Sequence, residues 1–168
     1  LVDEIVPASD FDSAVEKITK AILAYTKMRQ YAPNIPKQFD KMLGIFRARL
    51  GSLYLTVDRP QQAIDTLNKI FTEDPKHADA NYLLGLSYQE MKDFEKAFEI
   101  LQETDKIEGS LQTRRHKIRV DFEIKYSHTL SMIMNNDIEN AYVTIHKMKE
   151  MDKNIIHHYY YNLFSLYF

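Results

Sequence analysis

Apolar positions along the chain recur mostly at three- and four-residue steps, the period of an amphipathic helix. Phe11, Ala14, Val15, Ile18, Ala21, Ile22 and Tyr25 follow this spacing behind Ser9-Asp10, and Asp and Ser are good N-cap residues. A helix is predicted over residues 10–30. Tyr31-Ala-Pro33-Asn-Ile-Pro36 then breaks the pattern, because each proline biases the residue before it towards extended backbone. Further helices are predicted over 37–57, 61–72 and 78–90. Pro60 suits the first turn of the second of these, where its missing N–H is not needed. Lys92-Asp93-Phe94 makes the next turn, with Asp93 as cap, and Ile107-Glu-Gly109-Ser110 ends the helix that follows. A long helix is predicted over 111–134, and Asn135-Asn136-Asp137 turns the chain into another carrying Ala141, Ile145 and Met148.

Within this series one stretch repeats itself. Leu50-Gly51-x-x-Tyr54 recurs as Leu84-Gly85-x-x-Tyr88, Ala63 as Ala97 and Leu67 as Leu101, always 34 residues on. The residue types have a physical reason. Gly51 and Gly85 suit the closest approach of two helices, with Ala63 and Ala97 as the facing small residues and Tyr54 and Tyr88 filling the space one turn on. In the same frame Asp10, Asp93 and Asp137 hold one cap position. Phe11, Ala14 and Ile18 make the first predicted helix the second half of an earlier unit, whose first helix is missing or degraded into residues 1–8. Beyond Thr104 the spacing stretches: Ala97 to Ala141 is 44 residues, and His128-Thr129 stands where Leu-Gly is expected. Tyr161, Phe164, Ser165 and Phe168 imitate the start of one more unit.

A 34-residue helix–turn–helix period with these residues and Pro75 at the boundary resembles tandem tetratricopeptide repeats. The resemblance implies an all-α, right-handed α-solenoid of about eight helices. It divides the chain into a degenerate first segment (1–36), two regular units (37–109) and a degenerate unit with an inserted long helix (110–168). It also implies a concave surface lined by the first helix of each unit. Carried onto this chain, the groove positions are Ile45, Ala48, Ser52, Tyr82, Leu86, Gln89, Tyr126, Leu130, Met134, Tyr159 and Leu166. Tyrosine and methionine suit protein recognition, since they bury large area while keeping a polar handle or an adaptable shape. Members of the family that grip a C-terminal carboxylate use Lys and Asn at positions held here by Ala48, Ser52 and Leu83, so that clamp is absent. The order of a long helix, a break, a helix with Arg47-Ala-Arg49-Leu50-Gly51, two regular repeats and a ten-residue expansion is similar to the tetratricopeptide subunit of TRAPP vesicle-tethering complexes. That likeness implies a role in membrane-traffic tethering.

Composition fits helices. The 168 residues are 45% hydrophobic, and four glycines and five prolines are few for a β-rich chain with many turns. With no cysteine, disulfides and thiolate chemistry are excluded. The net charge of −2 gives no global attraction to polyanions, and no apolar run is long enough to span a bilayer. The chain opens on Leu1 and ends on the apolar Ser165-Leu-Tyr-Phe168, so it is expected to be part of a longer protein with targeting signals outside it. Cytoplasmic residence is expected.

Candidate chemistry is sparse. His77, His116, His128, His146, His157 and His158 form no helical i, i+4 pair flanking a carboxylate, so they read as scattered surface and core histidines rather than metal ligands. Glu73-Asp74 and Glu139 read as helix-end acids. No nucleophile elbow or phosphate-cradling glycine loop is present, so no catalytic residue, metal or cofactor is expected. Arg114, Arg115, Lys117 and Arg119 form a basic cluster, either a solvated face of the inserted helix or a surface meeting phosphate, an acidic partner or headgroups. The expected function is a non-catalytic scaffold or adaptor that binds another protein, as helix, extended peptide or neighbouring subunit. No small-molecule substrate is expected, and the alternative to a protein partner is a nucleic acid or acidic surface bound through Arg114 to Arg119.

Overall fold

The computed structural model describes residues 8–32 and 38–149. Among them all regular structure is helical: α1 (Ala8–Tyr31), α2 (Gln38–Thr56), α3 (Pro60–Glu73), α4 (Ala78–Glu90), α5 (Phe94–Ile107), α6 (Leu111–Met134) and α7 (Ile138–Lys149). The expected further unit at Tyr161–Phe168, the groove positions Tyr159 and Leu166, and residues 1–7 lie outside the described residues. The chain divides into two compact units between Lys92 and Asp93, inside the second regular repeat, at its internal turn. Gly85 and Ala97, expected as a facing pair, therefore belong to different units.

In the first unit each helix packs on the next, and α2 also touches α4, so two first helices form a layer that α3 backs. The core is apolar and tight, with Ala63, Leu67 and Ile70 on α3 at most 2% exposed. Gly51 is the close approach expected, but its partner is Leu67 rather than Ala63: a Cβ on Gly51 would lie 2.7 Å from the Leu67 Cγ. The space the glycine leaves is filled by a large side chain, not matched by a small one. The first helix is keyed onto α2 through rings, Phe11 against Tyr54 at 6.2 Å and Tyr25 against Phe46 at 5.4 Å, both edge-on. The Arg59 guanidinium lies 5.3 Å over the Phe11 ring.

In the second unit α5 packs on α6 and α6 on α7. Its buried contacts include Val120, Phe122, Ala141 and Met148. At the glycine position stands Thr129, fully buried, whose Oγ1 donates to the Lys125 carbonyl at 2.8 Å and reaches the Met148 Sδ at 3.8 Å.

The turns carry the periodicity further than side-chain identity does. Asp58, Lys92 and Asn136 have φ of 55°, 60° and 61°, the left-handed conformation that closes a helix. Their spacing is 34 and then 44 residues, the interval found between the alanines. At the first, the Asp58 N–H donates to the Leu55 carbonyl and the Arg59 N–H to the Tyr54 carbonyl; at the third, Asn136 and Asp137 do the same to Ile133 and Met132. This paired pattern is the Schellman helix stop. Asp93 caps α5 as expected, accepting from the Lys96 N–H, and Ser110, expected only as part of a turn, caps α6 by accepting from the Thr113 N–H. Ser9 and Asp10 are a correction: α1 begins at Ala8, so both lie inside its first turn, where an acid still complements the helix dipole.

Candidate functional site

In the first unit, the faces of α2 and α4 hold Ile45, Ser52, Tyr82, Leu86 and Gln89. Ile45 is 40% exposed, and the other four are half-buried. Ala48 is buried and belongs to the core instead. At the N-terminal end of α2 this face runs into a cavity of about 420 Å³, which Ile45 also lines. Its wall is charged, with Lys41 from α2, Glu73 and Asp74 from the end of α3, and His77 and Asp79 at the start of α4. Two of these have structural duties. His77 caps α4, its Nδ1 accepting from the Ala80 N–H at 3.3 Å, and its ring lies against Gly44, where a Cβ would sit 3.3 Å from it. Glu73 ends α3, where the helix dipole disfavours an acid, and is held there by the Arg47 guanidinium at 2.6 Å. Arg47 is buried with its Nε unmatched, and Asn81, its equivalent 34 residues on, is buried with its Oδ1 unmatched while its amide donates to the Pro75 carbonyl.

In the second unit Tyr126 and Leu130 are half-buried on α6, and Met134, at its end, is 84% exposed. Tyr126 holds the frame position that Tyr82 holds in the first unit. The basic cluster is split by Asp105 on α5, which receives Arg114 Nε at 3.0 Å and Lys117 Nζ at 2.5 Å. Hydrogen bonds from Lys117 and then Arg114 hold the Asp105 carboxyl below the usual carboxylate range. Gly109 leaves room for this clasp, since a Cβ there would lie 2.6 Å from the Arg114 Nη2. Arg115 and Arg119 are exposed and enter no ion pair among the described residues. Between them His116 is half-buried, and desolvation, with Arg119 adding to it, pushes its ring below the usual histidine value.

Sequence reasoning missed Asp105 and the Arg47–Glu73 pair, each joining residues on different helices. Nothing in local spacing announces either. Among the described residues no three His, Asp or Glu side chains are grouped as a metal would require, and no helix is long and apolar enough to cross a membrane.

Residues 54–111 match the family model described as tetratricopeptide repeat. Over that stretch the chain is tetratricopeptide repeat. The matched segment runs from Tyr54 in α2 to the first residue of α6, so it stops where the ten-residue expansion begins. The tetratricopeptide domain of Sgt2 from Aspergillus fumigatus has the same fold, with a TM-score of 0.51 at 20% identity, over 74% of this chain and 85% of that one. MamA from Desulfovibrio magneticus RS-1 is more distant, with a TM-score of 0.45 at 19% identity, over 84% of this chain and 70% of that one. No curated protein shows a significant sequence match to the chain.

Proposed function

We propose that this tetratricopeptide chain is a non-catalytic adaptor that holds a helical or extended segment of a partner protein, or a neighbouring subunit, on the face of its first helices. The observation that carries the reading is the α2–α4 face of the first unit, where Ile45 is exposed and Tyr82, Leu86 and Gln89 are half-buried on adjacent helices. A surface of that make-up can bury apolar area on binding while its polar edges fix register. Tyr126, Leu130 and Met134 present the same chemistry in the second unit. Service in a vesicle-tethering assembly would be one use of such a surface.

Site-specific photocrosslinking tests the reading. A photoreactive residue at Leu86 should give a discrete adduct with a protein partner in cell extract, and one at Lys69, exposed on α3, should not. Tyr82→Ala should weaken capture of that partner by about 2 kcal/mol, the scale of an aromatic anchor at an interface centre. Adducts from Lys69 alone would sink the proposal.

A further inference from the structure

At 24 residues, α6 is eleven longer than α4, its counterpart in the preceding repeat, and the surplus stands at its N-terminal end. This extension is built into the second unit: Thr113 and Val120 are buried at 3% and 0% exposure. Beyond its first turn, which holds no acid, this extension carries four cations, Arg114, Arg115, Lys117 and Arg119. Asp105 compensates Arg114 and Lys117. Arg115 and Arg119 receive no such compensation. They lie one turn apart and continue the stripe begun by Leu111, which is 65% exposed.

We propose that Leu111, Arg115 and Arg119 form a docking stripe for an acidic helical segment of a partner protein, separate from the apolar face of the first helices. Two carboxylates one turn apart on such a segment meet the two guanidinium forks, each able to take a carboxylate through paired hydrogen bonds. An apolar residue beside them covers Leu111. The number of free charges selects this partner over other polyanions. Polybasic membrane contacts use clusters of about 4–8 Lys or Arg, and non-specific nucleic-acid binding draws on many phosphate contacts at once. In this stripe two arginines stand outside any ion pair among the described residues, on a chain whose net charge is −2.

The test uses the full chain and a helix-forming peptide of about 16 residues with two glutamates one turn apart beside a leucine. Fluorescence anisotropy should show binding that the glutamine version of the peptide lacks. Arg115→Glu with Arg119→Glu should weaken it about tenfold or more, with the helical circular dichroism and melting temperature retained. A peptide carrying lysines in place of the glutamates should recover affinity for that reversed variant. Absence of peptide binding to the native chain overturns the proposal, as does equal affinity in the reversed variant. Binding of oligo(dT) or of phosphatidylserine vesicles without peptide binding would also overturn it, in favour of a polyanion surface. The crosslinking at Leu86 is independent of this outcome, so either reading can fail alone.

Discussion

In the first unit Gly51 is pressed onto Leu67, leaving no room for even a Cβ, whereas in the second the equivalent Thr129 lays its hydroxyl on its own helix and meets the flexible thioether of Met148. The first contact is a close fit between rigid shapes. The second is an adjustable one. Methionine fills irregular gaps without a unique rotamer, and the threonine hydroxyl is satisfied within α6 whatever α7 does. The comparison shows how a repeat can lose its signature residues and keep its fold: the left-handed turn at Asn136 and the buried Ala141 persist while the seam is rebuilt from softer parts.

The sharpest way to break this comparison is to hollow out each seam. Leu67→Ala should cost about 2–5 kcal/mol in urea unfolding, and Met148→Ala should fall at the low end of that range because the adaptable seam relaxes. Equal costs would mean the two seams are alike. Adding or removing one small group is the next test. Gly51→Ala should destabilise by about 1–3 kcal/mol through overpacking against a Leu67 that cannot move away, whereas Thr129→Ala should cost under about 1 kcal/mol.

The turns give a smaller effect of opposite sign. Lys92 pays the left-handed strain without the local side-chain hydrogen bonding that favours Asn and Asp there, so Lys92→Gly should raise stability by about 1 kcal/mol, and Asn136→Gly by less. Acidity separates the units most gently. The depressed His116 binds fewer protons folded than unfolded just below about pH 6.5, so its contribution is full at neutral pH and falls as pH drops through that window. Asp105, also depressed, contributes above about pH 4 and loses that contribution as pH falls through its folded value. A melting temperature followed from pH 7 to 5 should decline, and His116→Gln should flatten the decline.

Much of the architecture was readable from the residues. The limits of α4 and α6 follow from turn residues and helical spacing that agree with each other. The start of α1 did not, because Asp serves equally as a cap and as a first-turn acid, and only the backbone tells the two apart. The facing of Gly51 was legible but its partner was not, since a missing side chain can be answered by another small residue or by a large one. Of the candidate surface, Tyr82, Leu86 and Tyr126 are half-buried, as residues beside a groove can be, yet Ala48 is core. The clasp on Asp105 was invisible because long side chains on separate helices meet only once packing has fixed both.

The enlarged α6 also obeys a rule of phase. The ten-residue surplus in the spacing is eleven more residues of helix than in α4 and one fewer in the loop before it. Eleven residues are within about 20° of three whole turns, and about 16 Å of length. Like a screw advanced by complete revolutions, the helix therefore grows without rotating the side chains downstream, so Tyr126 and Thr129 keep their frame orientation. An excision of eleven residues would conserve that angle, and one of nine would swing it by about half a revolution. Length in this segment is thus quantised by the helical pitch, and a chain of this kind can acquire or shed an overhang in single steps without re-solving the packing beyond it.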